Sequence, residues 1–167
     1  MRALYTLATL AIVAGLCLLM LKGWRSRQRR QDDLPPPAAT PVAAAEPLLP
    51  PVEGLFVGTT TAGDWLDRIA VHALSDRGAG WLTVTRTGVT IERDGLPDLH
   101  LPTQDIRAAA PGIRLAGKVV GTDGLLLVDW QLGDRLLTSG FRADDHDQHR
   151  RLADAITALL SPEEVRP

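Results

Sequence analysis

The stretch LLLVDWQLGDRLLTSGF, residues 125–141, indicates the kind of fold that this chain adopts. Apolar residues alternate with polar ones on both sides of the pair Gly133-Asp134, a pattern typical of two antiparallel strands joined by a tight turn. The pattern places one set of side chains on a common face of each arm: Leu126, Val128, Trp130 and Leu132 on the first, and Leu137, Ser139 and Phe141 on the second. We therefore predict a β-hairpin with one buried face.

A second hairpin is predicted in WLTVTRTGVTIER, residues 81–93, with its turn at Thr87-Gly88. Leu82 and Val84 share a face on one arm, as Val89 and Ile91 do on the other. Four shorter stretches are also strand candidates: 55–61, 69–74, 99–101 and 106–109.

One amphipathic helix is predicted at the end of the chain, in DDHDQHRRLADAITALLSP, residues 144–162. Its apolar residues have the i, i+4, i+7, i+8 spacing of a helix stripe: Leu152, Ile156, Leu159 and Leu160. Asp144 or Asp145 can cap its start, Gln148 can complete a capping box, and Pro162 ends it. The fold class is therefore mainly β (α+β), a small sandwich or barrel of about seven antiparallel strands closed by a C-terminal α-helix.

The N-terminal residues 3–21 form an uncharged apolar run of 19 residues. As a helix it would span roughly 28 Å, close to the ~30 Å hydrocarbon core of a bilayer. We interpret it as a single transmembrane anchor rather than a cleaved signal peptide, because the strong positive charge follows the apolar run instead of preceding it. The membrane-facing side chains are Leu4, Leu7, Leu10, Ile12, Val13, Leu16, Leu18, Leu19 and Leu21.

A basic run directly after the apolar segment predicts its orientation. The positive-inside rule places residues 22–167 in the cytoplasm and the N-terminus outside. The residues that would set this topology are Lys22, Arg25, Arg27, Arg29 and Arg30. The expected location is therefore the plasma membrane, with the C-terminal domain on the cytoplasmic side.

Residues 31–52 contain seven prolines and should form neither a helix nor a central strand. We predict a semi-stiff, extended spacer with a reach of up to ~60 Å. The domain organisation is then an anchor at 1–22, a basic flank and Pro/Ala-rich linker at 23–52, a folded domain at 53–162 and a short tail at 163–167.

The charges are divided unevenly along the chain. Residues 1–30 carry six of the 18 basic residues and none of the 20 acidic ones, so the remainder has a net charge of −8. An acidic domain is repelled by phosphate backbones and anionic lipid, so we expect no nucleic-acid binding.

The stretch PGIRLAGKVVG, residues 111–121, nearly matches a phosphate-binding loop. Gly112, Gly117 and Lys118 have the G-x-x-x-x-G-K spacing, but Val119 stands where the motif needs Ser or Thr. A β-hairpin follows instead of a helix, so no helix N-terminus faces a phosphate. We interpret the match as chance, and nucleotide binding at Gly112–Lys118 remains as a remote alternative.

Two other groups of polar residues are candidate sites. In DDHDQH, residues 144–149, Asp145 and His149 lie four positions apart, which suits either a helix cap or a weak metal site; we favour the cap. His72 and His100 lie in predicted strands and are interpreted as ordinary β residues. We predict no catalytic residue, no metal site and no cofactor.

The loop GTTTAGDW, residues 58–65, is the most unusual one in the domain. Its hydroxyls, glycines and acid either bind a ligand or partner or form a tight strand-to-strand turn. The candidate residues for a ligand or partner are Thr59, Thr60, Thr61, Asp64 and Trp65.

The predicted architecture is that of pleckstrin-homology (PH) domains, and the sequence resembles the membrane-anchored PH-like proteins of actinobacteria, a family associated with export and transport. The resemblance rests on GLFVGTTTAGDWLDRIAVHAL (54–74), GVTIERDGLPDLHLP (88–102), AGKVVGTDGLLLVDWQLGD (116–134) and TSGFRADD (138–145), and on the order of anchor, linker and domain. Lipid-binding PH domains carry Lys and Arg in an early loop, whereas residues 54–67 contain no basic residue. The resemblance therefore implies a non-enzymatic module that binds a protein partner and no lipid headgroup, with an export- or transport-accessory role as the alternative.

Overall fold

The computed structural model describes residues 2–29, 31, 33–41, 45–119 and 124–160. It divides into two compact units, residues 1–33 and 34–167, which are considered separately. The predicted tail at 163–167 and Arg30 lie outside the described residues.

The first unit is one α-helix, α1, Arg2–Arg29. Its segment Tyr5–Gly23 has a mean hydropathy of 2.0, and it is the one helix among the described residues that is long and apolar enough to cross a membrane. More than half of each predicted membrane-facing side chain that the structure describes is exposed: Leu7, Leu10, Ile12, Val13, Leu16, Leu18, Leu19 and Leu21.

The second unit is built on a seven-stranded antiparallel sheet. In chain order its strands are β1 Val52–Thr61, β2 Gly78–Thr85, β3 Gly88–Arg93, β4 Leu99–Pro102, β5 Ile106–Gly112, β8 Leu125–Leu132 and β9 Arg135–Ala143. A two-stranded hairpin, β6 Arg114–Leu115 and β7 Lys118–Val119, lies between β5 and β8 along the chain. The order across the sheet is β4-β3-β2-β1-β9-β8-β5, so β1 joins the β2–β4 half to the β9-β8-β5 half.

The alternating pattern of residues 125–141 is confirmed. β8 and β9 pair from Leu126↔Phe141 to Leu132↔Arg135, which leaves Gly133-Asp134 as the two-residue turn. All seven residues predicted to share its buried face are at most 7% exposed. The other hairpin, β2–β3, also buries the face that was predicted, but its turn is Arg86-Thr87, one residue earlier than expected, because Thr85 pairs with Gly88.

The prediction of a strand at residues 69–74 is wrong. The backbone of Ile69 donates to Thr59 O (3.0 Å), and Thr59 in turn donates to Leu74 O (2.8 Å), so this segment lies beside β1. It then turns sharply, because His72 and Ala73 both have a φ of 55°. Residues in this left-handed region cannot continue a strand, so His72 is a turn residue and not a β residue.

The left-handed turn gives a stability prediction. Ala73 adopts a backbone conformation that glycine reaches without strain from a Cβ atom. We expect Ala73→Gly to raise the free energy of unfolding by about 0.5 kcal/mol, because relief of the strain outweighs the added entropy of the unfolded chain. Urea unfolding measures the change, and Ala79→Gly, in strand β2, is expected to have the opposite sign.

The C-terminal helix α2, Gln148–Leu160, is the predicted one. Asp145 caps it, since its carboxylate accepts the Asp147 amide (3.1 Å) and the Gln148 side-chain amide (3.3 Å). In a full capping box the Gln148 side chain would bond the backbone amide of the capping residue. Here it bonds the carboxylate of that residue instead. The helix packs mainly on β5 and β8, with Leu152 and Ile156 in the core.

The described part of the proline-rich segment, up to Pro51, contains no helix and is docked on the domain. Leu34 is 4% exposed and belongs to the main core, and its carbonyl oxygen accepts from His72 Nε2 at 2.8 Å. Farther along, Pro47 forms a bridge with Thr85, and the Leu48 amide donates to Val84 O at 2.8 Å. The folded unit thus begins near residue 34, and the described residues 34–41 and 45–51 do not form the free spacer that proline content alone suggests.

Candidate functional site

A pocket of about 270 Å³ lies on the outer face of the β1-β9-β8-β5 half of the sheet. The strand register sets one row of its floor, since Thr60 pairs with Thr138, Thr138 with Asp129, and Asp129 with Ala108. These four residues come from four adjacent strands and face the same side of the sheet, because paired residues share a face. We call this space the outer pocket.

The walls of the outer pocket are a loop and a hairpin. Trp65 comes from the loop that follows β1, and Leu115 comes from the β6–β7 hairpin. The two walls are joined by a hydrogen bond from the Gly117 amide to Trp65 O, 3.1 Å long. Leu115 lies directly over Gly140, where an added Cβ would come within 2.3 Å of its Cδ2 atom. A small residue in β9 therefore lets the hairpin fold onto the sheet.

The near-match to a phosphate-binding loop has a structural explanation. Gly112 ends β5, where an added Cβ would lie 2.3 Å from Leu127 Cδ1 and would displace that side chain. Ala116 and Gly117, with φ values of 50° and 75°, form the tight turn of the β6–β7 hairpin. In the described chain the next element is strand β8, whereas a phosphate-binding loop opens a helix.

Some polar groups of the outer pocket have hydrogen-bond partners and others have none within the described structure. Thr138 Oγ1 donates to Asp129 Oδ1 at 2.6 Å, and no described residue donates to the second carboxylate oxygen. Thr60 is 1% exposed, and its Oγ1 atom has no hydrogen-bond partner among the described residues. Because buried polar atoms are nearly always paired, an orphaned hydroxyl on a residue that lines a pocket marks a place for a ligand atom or a water molecule.

The predicted ligand loop is only partly assembled into this pocket. Thr60, Thr61 and Trp65 line it. Asp64 instead caps the turn of the loop, accepting the Leu66 amide at 3.0 Å. Thr59 points to the other face of the sheet, where its hydroxyl bonds Ser139 Oγ (2.8 Å) in the core.

Sequence reasoning missed Asp129 and Thr138, the two residues that bring charge and a hydrogen bond to the pocket. Both are the polar, outward members of the alternating hairpin 125–141, and nothing in that pattern distinguishes them from ordinary solvent-facing residues. Only the pairing of Thr138 with both Thr60 and Asp129 reveals that they share a site. That pairing joins residues far apart in the chain.

A second concavity, about 340 Å³, lies between the docked segment and the β2–β4 half of the sheet. His100 lines it and is 4% exposed, with its Nδ1 atom 2.9 Å from Thr90 Oγ1. Burial lowers the pKa of His100 below its ordinary value, because the charged imidazolium is poorly solvated there.

The position of His100 predicts a pH dependence of stability. Its folded-state pKa lies below the unfolded value of about 6.5, so the unfolded chain takes up the proton first as the pH falls. The contribution of neutral, buried His100 to the free energy of unfolding is fully present above pH ~6.5. It is lost as the pH drops towards the folded-state pKa. We expect His100→Gln to flatten the fall in unfolding free energy between pH 7.5 and 5. Parallel urea titrations of the two proteins check this, and equal slopes would contradict it.

The polar group at residues 144–149, for which a helix cap was favoured over a weak metal site, has structural roles. His149 is fully buried, and its Nε2 atom accepts the Ala143 amide at 2.9 Å, which ties the start of α2 to the end of β9. Asp145 is the helix cap described above. No cluster of three potential metal ligands occurs within the described residues.

The fold and its relatives define the class of protein. A seven-stranded antiparallel sheet followed by a C-terminal helix is the PH-like architecture. The family model of bacterial PH domain-like proteins matches residues 32–157, and the chain belongs to this family. The match includes the docked segment from Leu34 onwards.

More distant comparisons add only the fold. A chain in the solved structure described as "The 8S snRNP Assembly Intermediate" is similar with a TM-score of 0.50 and 8% identity, over 77% of this chain and 95% of that chain. At this identity the likeness concerns architecture and not function. No curated protein sequence matches the chain.

Proposed function

We propose that this protein is a single-pass membrane protein that presents its PH-like domain as a protein-interaction module at the cytoplasmic face of the plasma membrane, without enzymatic activity. The observation that carries the proposal is the outer pocket, whose floor has a carboxylate, Asp129, and a buried hydroxyl, Thr60. A lipid phosphate needs basic residues, and Asp129 is the one charged residue among the described lining. A protein partner suits this surface better than an anionic headgroup.

Helix α1 supports the membrane part of the proposal. Segment Tyr5–Gly23 meets the length and hydropathy needed for a span. The five basic residues between positions 22 and 30 favour the cytoplasmic side for everything that follows.

Cysteine labelling tests the orientation. We add a cysteine after Pro167, replace Cys17 by alanine, and treat cells with a membrane-impermeant thiol reagent. Labelling only after lysis is the expected result. Labelling of intact cells would place the domain outside and turn the proposal towards an export or transport accessory.

In-cell photo-crosslinking tests the interaction. A photoreactive residue at Leu66, which is 59% exposed beside the pocket wall, is expected to capture a protein. The matched control is Leu48, 41% exposed on the opposite half of the domain. Equal capture at both positions, or none at Leu66, would contradict a partner at the outer pocket.

A further inference from the structure

We infer that the outer pocket binds the guanidinium group of an arginine side chain on the partner protein. This inference deepens the proposed function. It rests on that function in one respect, namely that the arginine belongs to a partner protein. The pocket chemistry itself follows from three groups of the outer pocket: a carboxylate with an available oxygen, a buried orphan hydroxyl and an aromatic wall.

The carboxylate selects a cation. Asp129 is partly buried on the pocket floor, with one oxygen held by Thr138 at 2.6 Å. Thr138 thereby fixes the orientation of the carboxylate and leaves the other oxygen for a donor from outside. A charged donor makes a shorter and stronger bond to this oxygen than a neutral one does. The net charge of −8 beyond residue 30 also attracts a basic partner.

The buried hydroxyl calls for a second donor from the same ligand. Thr60 Oγ1 is two strands away from Asp129 in the same row of the floor, and it lacks a partner within the described structure. An arginine carries five N–H donors in one plane, so it has donors left for Thr60 after bonding a carboxylate. A lysine ammonium is a compact point charge and covers such a row less well.

The remaining surface fits the rest of an arginine side chain. The Trp65 wall suits the flat face of a guanidinium, and Leu115 and Leu127 suit its methylene groups. At about 270 Å³ the pocket is slightly smaller than typical sites for whole small molecules, which are roughly 300–1,000 Å³. A single side chain therefore fits better than a free metabolite.

Titration of the full chain in nonionic detergent tests the inference. The probe is N-acetyl-L-arginine amide, followed by saturation-transfer difference NMR, and its neutral control is N-acetyl-L-citrulline amide, which has nearly the same shape. We expect a Kd on the order of 1 mM for the arginine probe, since one side chain makes few contacts. Binding of the citrulline probe should be at least about tenfold weaker, because it lacks the charge.

Variants locate the binding. Asp129→Asn keeps an oxygen that accepts from Thr138 but removes the charge, and it should weaken arginine binding about tenfold or more. Thr60→Val is expected to weaken it several-fold. The matched control is Asp134→Asn, which changes net charge equally at the exposed β8–β9 turn and should leave binding unchanged.

The outcomes separate the two proposals. Equal binding of both probes, or equal effects of Asp129→Asn and Asp134→Asn, would overturn the arginine site, while crosslinking at Leu66 would still support an interaction module. Arginine binding together with Asp129-dependent crosslinking supports both. Arginine binding without any crosslinked protein would assign the pocket to a free cation and would contradict the inference that the arginine belongs to a partner protein.

Discussion

Arg93→Leu is expected to lower the free energy of unfolding by about 2–4 kcal/mol, one of the two largest effects that we expect for single substitutions in this domain. Arg93 is 5% exposed, and its guanidinium bonds two backbone carbonyl oxygens, with Nη1 2.7 Å from Ala73 O and Nε 2.9 Å from Pro97 O. It also lies 4.9 Å from the centre of the Phe56 ring. Leucine fills part of the space but leaves Pro97 O without its donor and Ala73 O with only the Asp76 amide, at 3.3 Å.

Two variants control this experiment. Arg93→Lys keeps the charge but not the planar donor fork, so it should lose most of the same stability. Arg86→Leu, at the exposed β2–β3 turn, should change it by less than about 0.5 kcal/mol. Urea unfolding followed by tryptophan fluorescence measures all three, and a tolerated Arg93→Leu would show that the carbonyl groups find water instead.

Leu34→Ala is expected to lower the free energy of unfolding by about 2–4 kcal/mol, the usual cost of truncating a core leucine. Leu34 belongs to the segment that proline content predicts to be a spacer, yet it is 4% exposed in the main core. A free spacer would show no change.

The matched control for Leu34 is Leu48→Ala in the same segment. Leu48 is 41% exposed, so its truncation should cost less than about 1 kcal/mol. Similar small effects at both positions would mean that residues 34–51 leave the domain in solution.

The sequence was sufficient for those parts of the fold where local pattern and burial agree. Residues 125–141 alternate because one face of the hairpin meets the core and the other meets solvent, so the pattern alone predicts its strands and turn. The spacing of Leu152 and Ile156 predicts α2 in the same way, since both residues are buried as expected.

The remaining features depend on contacts between distant residues. Residues 69–74 are apolar enough for a strand, but the left-handed turn at His72-Ala73 overrides that preference. The docking of Leu34 depends on a core formed by residues much later in the chain. The outer pocket depends on strand register, because only pairing across β1, β9 and β8 places Thr60 near Asp129.

The hydrogen bond from Gly117 to Trp65 O turns one backbone amide into a reporter on the outer pocket. This bond closes the two walls on each other, so its amide hydrogen exchanges with deuterium only when the walls part. Slow exchange at Gly117 would indicate that the outer pocket is preformed. Further slowing on addition of a partner would indicate that binding holds the two walls together. A single peptide in a mass spectrum thus records the opening of the whole site.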